Sequence, residues 1–546
     1  MAHAVILMLS GQICSGKSTL ASKLADDFGF AVFKTKAVLS RIQSEANPDR
    51  LSLQQIGERL DRTTRGLWVI KEFQKEIFPE PLADSLHIID AARIPRQVAS
   101  LRQSFGASVI HVHLVASEEC LFERYVAVYG NGRGATTIRK EYRLIKANDT
   151  ERQVDRLADT ADLVMKTDAC SDADLAVRVA TFLGLPASYH KRVVDVVVGA
   201  QFGSEGKGQI CGHLAPEYDA LVRVGGPNAG HSVFAKPEAH KFRLLPSGSV
   251  RAPNAKLIIG PGAVLDLDVL LSEIRQYKIG TERLKIDPNA TVITNEDKER
   301  EKILVRGIGS TGQGVGAATA ENIMNRDPRN KNKVGFHERK LRGYIGPTHE
   351  ELESVFRSGG TVLLEGTQGT FLSLHHGFYP YVTSRDTTAS GCLAEAGIAS
   401  KRVRRIVLVT RTYPIRVENP RDKTSGPFGS PELTWEEISK RSGIGQAELE
   451  EHEITTTTHR RRRVAEFGWS IFRKACELNS PTDIALTFVD YLSIQNRKAR
   501  RFDKLTKETI AMIDQIQSCA GAPVSLVSTR FEYRSIIDTR TWKRDR

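Results

Sequence analysis

Gly199-Ala-Gln-Phe-Gly-Ser-Glu-Gly-Lys-Gly-Gln-Ile-Cys-Gly-His213 decides how the larger part of the chain is read. It follows Arg192-Val-Val-Asp-Val-Val-Val198, an apolar, β-branched run that predicts a buried strand. It leads into Gln209-Ile-Cys-Gly-His-Leu-Ala, which predicts the opening of a helix. Strand, glycine-rich turn and helix start together make an anion site: closely approaching backbone N–H groups, a helix N-terminus, and Lys207 for phosphate oxygens.

A second phosphate loop opens the chain. Ala4-Val-Ile-Leu-Met-Leu-Ser10 predicts a short buried strand, and Gly11-Gln-Ile-Cys-Ser-Gly-Lys-Ser18 is a full G-x-x-x-x-G-K-S Walker A loop, followed by a helix over Thr19–Asp27. Backbone amides of such a loop cradle phosphates, Lys17 reaches the terminal ones and Ser18 offers its hydroxyl to Mg²⁺. Gly11, Ser15, Gly16, Lys17, Ser18 and Thr19 are therefore the expected ATP-binding residues.

The rest of this region reads as a parallel sheet. Leu86-His-Ile-Ile-Asp90 is a second strand, with Asp90 and Arg93 at its end placed to orient a substrate. The alternative for Asp90 is a cap on a helix over Arg96–Gln103. Ser108-Val-Ile-His-Val-His-Leu-Val115 is a further strand on which His111 and His113 share a face. Without a third ligand they read as buried or hydrogen-bonded histidines. A helix begins at Glu119–Arg124, Tyr129–Gly134 reads as a mobile lid, Asp159–Asp168 closes the sheet, and a helix over Asp172–Gly184 lies behind it. Leu185-Pro-Ala-Ser-Tyr-His-Lys-Arg192 reads as a linker, giving domains 1–187 and 188–546.

Composition narrows the class. The 546 residues exceed one ordinary core, and 40% hydrophobic with 26% charged residues is globular. No apolar run approaches the ~20 residues that span a bilayer. Seven scattered cysteines, in no paired spacing, suit reduced thiols in a cytoplasm. The net charge of +13 favours anionic partners, but the positive residues are spread out apart from Arg460-Arg-Arg-Arg463, so phosphorylated small molecules are expected ahead of nucleic acid.

The N-terminal order of motifs resembles P-loop nucleoside monophosphate kinases and dephospho-coenzyme A kinases. Downstream, Gln-Phe-Gly-Ser-Glu-Gly-Lys-Gly resembles the signature loop of the adenylosuccinate synthetases, in which aspartate stands where this chain has Ser204. Five further stretches follow in the same order. Leu221-Val-Arg-Val-Gly-Gly-Pro-Asn-Ala-Gly-His-Ser-Val-Phe234 reads as a strand ending at a histidine. By the resemblance His231 is the general acid, Gly230 gives a backbone carbonyl to Mg²⁺ and Asn228 lies near the nucleotide. Phe242-Arg-Leu-Leu-Pro-Ser-Gly248 also matches. Gly307–Gly316 supplies Ser310 and Thr311 to a nucleotide phosphate, and the arginine that the family donates downstream from a neighbouring subunit falls on Asn325, beside Arg326. Gly360–Thr370 and Tyr379–Thr388 supply Gln368 and Thr383.

Ile454-Thr-Thr-Thr-Thr-His-Arg-Arg-Arg-Arg-Val464 pairs hydroxyls with guanidinium groups, which suits a dicarboxylate. The resemblance makes it the aspartate loop, with Thr457, Thr458 and Arg462 on L-aspartate and Arg460 toward the ribose; His459 replaces a family glycine. Ile484-Ala-Leu-Thr-Phe-Val-Asp490 reads as the last strand. Its Asp490 would read the donor base, Phe488 replaces the family's lysine, which leaves ATP open beside GTP, and Ser528 lies across that pocket. The loop itself gives Gly203, Glu205, Gly206 and Gly208 to the nucleotide, with Ser204, Lys207 and His231 at the chemistry.

The resemblance implies an α/β protein of two P-loop-type domains: an N-terminal kinase-like parallel sheet and a larger synthetase-like domain. It also implies Mg²⁺, a nucleoside triphosphate, L-aspartate and a purine monophosphate as ligands, and a homodimer. The family phosphorylates a purine 6-oxygen, and an aspartate amine then displaces that phosphate. A serine hydroxyl is not the carboxylate base such a step calls for. Three readings stay open: a catalytically altered nucleotide sensor, an ordinary synthetase acting on IMP, or a different substrate. The preferred third reading is a purine with a 2-amino group, for which the shorter side chain leaves room. In it the loop resembles the phage 2-aminoadenylosuccinate synthetases, which act on dGMP.

Overall fold

The computed structural model describes the chain except residues 1–3, 44–49, 78–84, 131–133, 186–190, 236, 328, 338, 420–423, 455–459, 533 and 543–546. The chain divides into two compact units, Met1–Pro186 and Ala187–Arg546. Most of the expected linker and the centre of the expected lid lie outside the described residues. Among the described residues no helix is long and apolar enough to cross a membrane.

The first unit is built on a five-stranded sheet in the order Ala31–Phe33, Leu86–Ala92, Val5–Gly11, Val109–Val115, Leu163–Lys166. Every neighbouring pair is parallel. The central strand is buried on both faces, with Ile6 and Met8 in one core and Leu7 and Leu9 in the other, so its sequence is apolar without alternation. The helix after the Walker loop starts at Lys17 and runs to Phe28, beginning two residues earlier than its sequence pattern indicates because Gly16, at φ 93°, already turns the chain. His111 and His113 are buried, and Ser10 Oγ lies between them, 2.6 Å from His111 Nε2 and 2.7 Å from His113 Nδ1.

The second unit carries a nine-stranded sheet. Its spatial order is Leu284–Ile286, Lys256–Ile259, Ala220–Arg223, Val362–Glu365, Val194–Gly199, Val403–Arg411, Asp483–Thr487, Val524–Ser528, Ile536–Asp538. Only the last pairing is antiparallel. Val196 and Val198 enter the core on one face and Val197 the core on the other, which is why the run is almost wholly valine. The one polar residue in it, Asp195, is buried and takes two hydrogen bonds from Arg404 and one from Tyr218 Oη. Val194–Gly199 is where the connections change direction, the point at which open α/β sheets place their ligands.

Two expectations are corrected. His231 does not end a strand; it begins the antiparallel ribbon His231–Ala235 with Glu238–Phe242, because Gly225 to Gly230 turns the chain out of the sheet first. Asp490 is not on a strand either. The strand stops at Thr487, Phe488 takes a left-handed φ of 57°, and Asp490 falls in the short 3₁₀ turn Val489–Tyr491.

Candidate active site

Six parallel strands of the second unit end at one cavity of about 620 Å³ or directly behind its wall. Their terminal residues are Arg223, Glu365, Gly199, Arg411, Thr487 and Ser528. The phosphate loop crosses the middle of these ends. Its helix, Lys207–Leu214, begins at Lys207 rather than Gln209 because Gly206, at φ 84°, caps it. A Cβ at Gly208 would lie 2.7 Å from the Cβ of His231, and one at Gly212 2.4 Å from Val233 Cγ1. These two glycines let the helix lie against the ribbon that carries the histidine.

Within the loop Glu205 is fully buried. Its Oε1 accepts from the amides of Gln201 (3.1 Å) and Gly203 (2.9 Å), and its Oε2 meets Lys207 Nζ at 2.5 Å. The Lys–Glu pair is thus internal to the loop. Ser204 is the opposite: exposed, at φ 57°, on the cavity wall, with its carbonyl 3.4 Å from Arg411 Nη1.

His231 is also on the wall, and its Nδ1 is committed to Glu365 Oε1. Glu365 further accepts from Arg223 Nη1 at 2.9 Å and the Ser247 amide at 2.7 Å. Burial, with Arg223 beside it, lowers His231 to about 4. Burial alone would raise Glu365, but Arg223, His231 and Ser247 bring it down to about 2. The imidazole is therefore neutral, gives its Nδ1 proton to the carboxylate and keeps Nε2 for a ligand.

Arg462 opens the strand Arg462–Ala465 and lines the cavity, its Nη1 on Glu453 Oε2 at 2.8 Å. Glu453 Oε1 accepts from Arg411 Nη2 at 2.7 Å and from Tyr491 Oη at 2.9 Å. Burial alone would raise Glu453; the two guanidinium groups hold it at about 2. Arg411 in turn stacks on the Phe488 ring, 4.0 Å from its centroid. Thr457 and Thr458, expected on aspartate, and His459 lie outside the described residues. Arg460 is not on the cavity wall; its guanidinium donates to the carbonyls of Gly309 and Ser310, 3.3 Å each.

At the other end Phe488, Asp490, Arg497 and Ser528 share the wall. Asp490 Oδ2 accepts from Arg497 Nε at 3.1 Å, and burial raises its carboxyl to about 6. Gly203, Gly206, Gly208, Asn228, Gly230, Ser310, Thr311, Gln368 and Thr383 also lie on the wall, and Gln368 donates to Thr383 Oγ1 at 2.7 Å. Several buried polar atoms on this wall have no partner among the described residues: Asn228 Oδ1, Thr311 Oγ1, Asp490 Oδ1, Arg462 Nε and Arg530 Nε. Buried polar atoms are normally satisfied, so each of these is a candidate donor or acceptor for a ligand.

In the first unit Lys17 Nζ folds back on the carbonyls of Gly11 (2.7 Å) and Gln12 (2.8 Å), and Ser15 Oγ is 3.3 Å away. Ser18 and Thr19 are exposed on the first turn of the helix. Asp90 Oδ1 accepts from the Thr35 amide at 2.9 Å and its hydroxyl at 2.7 Å. It thus holds the start of Thr35–Gln43, not the helix that begins after Ile94, whose N-terminus carries a proline instead. Arg93 pairs with Glu151. No group of three or more His, Cys, Asp or Glu suited to a metal ion occurs among the described residues.

Sequence reasoning missed Glu365, Arg223, Glu453 and Arg411, all buried beneath the wall. For Glu365 and Arg223 the available signal was a charged residue closing an apolar strand run; Glu453, after a helix, and Arg411, in a run with other arginines, had none.

Comparison with known proteins agrees with this geometry. The family profile described as adenylosuccinate synthetase matches residues 196–334 and 330–497. The adenylosuccinate synthetase of Methanococcus maripaludis strain C5 is 37% identical over 354 residues, covering 63% of this chain and 98% of the relative. The succinoaminodeoxyadenylate synthetase of cyanophage S-2L, solved with dGMP and with dATP as an energy donor, is 28% identical with a TM-score of 0.53, over 64% of this chain and 96% of that one. The adenylosuccinate synthetase of Plasmodium falciparum, at 22% identity and a TM-score of 0.55 over 64% of this chain and all of that one, shares the fold. With more than half its length matched, and the phosphate loop, the histidine ribbon and the arginine strand brought to one cavity, the chain belongs to the adenylosuccinate synthetase family.

Proposed function

We propose that the second unit condenses L-aspartate with the 6-oxo position of dGMP or GMP, giving 2-amino-(deoxy)adenylosuccinate. The purine gives up its N1 proton to solvent, its 6-oxygen attacks the γ-phosphorus of the donor, the bond from that phosphorus to the β-bridging oxygen breaks, and the nucleoside diphosphate leaves. The aspartate amine then attacks C6, the C6–O bond breaks, and inorganic phosphate departs. Ser204 is the observation that carries the choice of purine: a short hydroxyl, exposed at the cavity where the family has an aspartate. It leaves room for a 2-amino group and accepts its hydrogen bond.

The other wall residues take roles that fit their chemistry. Lys207 and the amides of the glycine loop bind phosphate oxygens, with Ser310, Thr311, Asn228, Gln368 and Thr383 on the nucleotide. The Nε side of the Arg462 fork, without a partner among the described residues while Nη1 holds Glu453, suits a carboxylate of aspartate, and the resemblance adds Thr457 and Thr458 as further ligands. His231 starts neutral, and an arriving phosphoryl dianion raises its affinity for a proton, which Nε2 then delivers toward the departing oxygen. Gly230 and Ser204 supply neutral oxygens for Mg²⁺, a set that fits an ion held mainly by substrate phosphates and supplying charge stabilisation there.

ATP is the donor we favour over GTP. One oxygen of Asp490 is taken by Arg497, which leaves Oδ1 as the free acceptor. Adenine offers its N6 amine to one acceptor, whereas guanine offers two adjacent donors. Archaeal relatives at 37% identity, above the 28% of the phage structure, favour IMP as the second reading for the purine. The first unit reads as a nucleotide kinase with ATP on the Walker loop and Asp90 and Arg93 toward the acceptor. A cytoplasmic homodimer completes the proposal; Ile303, Ile323 and Met324, 75%, 56% and 84% exposed on neighbouring helices, give it an apolar face.

The test is turnover with L-aspartate, Mg²⁺ and either ATP or GTP, offering IMP, dIMP, GMP and dGMP in parallel. Succinylated product from dGMP or GMP is the expected result. Product from IMP alone transfers the conclusion to ordinary adenylosuccinate synthesis, and no product from any purine supports a nucleotide sensor.

A further inference from the structure

Glu453 is the residue on which the two ends of the ligase cavity converge. It follows the helix Gln446–His452 and stands just ahead of residues 455–459, while Arg462 stands just after them. Ile454 and Arg461 are joined by an antiparallel bridge, which brings Glu453 and Arg462 together. Arg411 arrives from the end of a central strand, and Tyr491 from the turn that also carries Asp490. One buried carboxylate thus receives two guanidinium groups and a phenol from separate parts of the fold.

We propose that Glu453 is a positioning residue for the ligase reaction: by holding Arg462 through Nη1 it turns the unpartnered Nε side of that fork toward the carboxylate of aspartate, and by holding Arg411 it fixes the carbonyl of Ser204 and the back of Phe488. The inference rests on the reading of Arg462 as an aspartate ligand. Its physical basis is charge and geometry together. A guanidinium bound at one edge by a fixed carboxylate has few orientations left, so the open edge is pre-set for a second carboxylate. Without Glu453 the two arginines lose their shared counter-charge and repel each other, and Arg462 is free to turn away. Arg411 has the Phe488 ring on one side and the Ser204 carbonyl at 3.4 Å on another, so the same carboxylate also steadies the base end of the cavity.

The test compares E453Q, E453D, R462M and the double variant E453Q/R462M by steady-state kinetics on the full chain, with thermal melting of each. R462M is expected to raise the aspartate KM at least about tenfold. E453Q should raise it by a similar factor while the KM of the purine monophosphate stays within about threefold, and the double variant should be no worse than R462M alone, because both act through one guanidinium. E453D keeps the charge but withdraws it by one methylene; it should melt within a few degrees of the parent and still raise the aspartate KM, which decides the matter if E453Q does not fold. A folded E453D with an unchanged aspartate KM, or E453Q and R462M effects that multiply, overturns the positioning role. An unchanged aspartate KM in R462M instead overturns the reading of Arg462, whatever Glu453 does.

Discussion

Replacing Ser204 by aspartate should move the enzyme from 2-amino purines to IMP. The position accepts the change: its φ of 57° is a conformation that aspartate tolerates better than most residues. The side chain is exposed on the cavity wall, and the nearest loop cation, Lys207, is already engaged by Glu205 at 2.5 Å. The new carboxylate therefore remains in the cavity, and the folding cost is that of an exposed substitution, within about 0.5 kcal/mol. For dGMP the variant loses a hydroxyl contact worth about 1 kcal/mol and meets crowding of about 1–3 kcal/mol at the 2-amino group. Together these make about 2–4 kcal/mol, a loss of roughly 30- to 1000-fold in kcat/KM.

For IMP the change works in the other direction, because a positioned carboxylate base contributes about 10²- to 10⁴-fold to proton removal. The new base serves N1 of either purine and raises both rates, so the ratio of kcat/KM for dGMP over IMP should fall between parent and S204D by the roughly 30- to 1000-fold of the contact terms. The assay is succinylation of each purine at several concentrations, with aspartate and the donor saturating. A ratio unchanged within a factor of a few in a folded S204D would refute the steric and hydrogen-bond argument, since both halves of it act on that ratio.

On the proposed reading of Asp490 as the acceptor of the donor base, D490N is expected to lower the preference for ATP over GTP, read as the ratio of the two kcat/KM values, and to remove a pH dependence of the donor KM near pH 6. E365Q leaves the imidazole without its carboxylate and should cut kcat by about 10²-fold or more with substrate KM values little changed, measured by single-turnover kinetics. Acid should destabilise the second unit, by a sign that follows from its buried groups. Glu365 and Glu453, at about 2, and Asp538, held well down by His213 and Arg540 against its burial, stabilise above the ordinary carboxylate range, and that stability is lost as pH falls through it. His231, at about 4, adds to the loss from its ordinary value of 6.5 downward, because the unfolded chain takes up the proton first. Asp490, raised to about 6 by burial, works in the opposite sense and offsets His231 between pH 7 and 5, so melting temperatures should fall chiefly between pH 5 and 4; no fall there would contradict the assignment. On the kinase reading of the first unit, K17M should abolish its ATP-dependent phosphoryl transfer and leave succinylation within about twofold; ADP formation without aspartate reads the first and succinylated product with aspartate the second.

The architecture was legible wherever burial on both faces writes itself as an unbroken apolar run. Val194–Gly199 and Val5–Gly11 are such strands, and each hands directly to a glycine loop and a helix, so both strand–loop–helix units were legible in the sequence. Asp490 was misplaced because an apolar run, Ile484 to Val489, conceals a break: Phe488 turns left-handed, and only the backbone angle reveals it. The alternative for Asp90, a cap on the following helix, failed for a related reason. Its neighbour in space is Thr35, far away in the chain, and no local pattern encodes that contact. Glu453 and Arg411 were invisible because a buried ion pair leaves two unremarkable letters in separate segments.

The two phosphate loops differ in how they treat their lysine, and the difference bears on what each binds. Both place it at the first residue of a helix behind a left-handed glycine, Gly16 or Gly206. Lys17 rests on the neutral carbonyls of Gly11 and Gln12, and Ser18, next to it, is exposed. Lys207 instead rests on the buried Glu205 carboxylate, which is itself pinned by two amides, so the charge of the second loop is balanced before any ligand arrives. An anion there is drawn by oriented amides and the helix terminus, with Lys207 already oriented rather than seeking a partner. A loop of that kind suits a position between two nucleotides, where a transferring phosphoryl group must be stabilised without being held so tightly that it cannot leave.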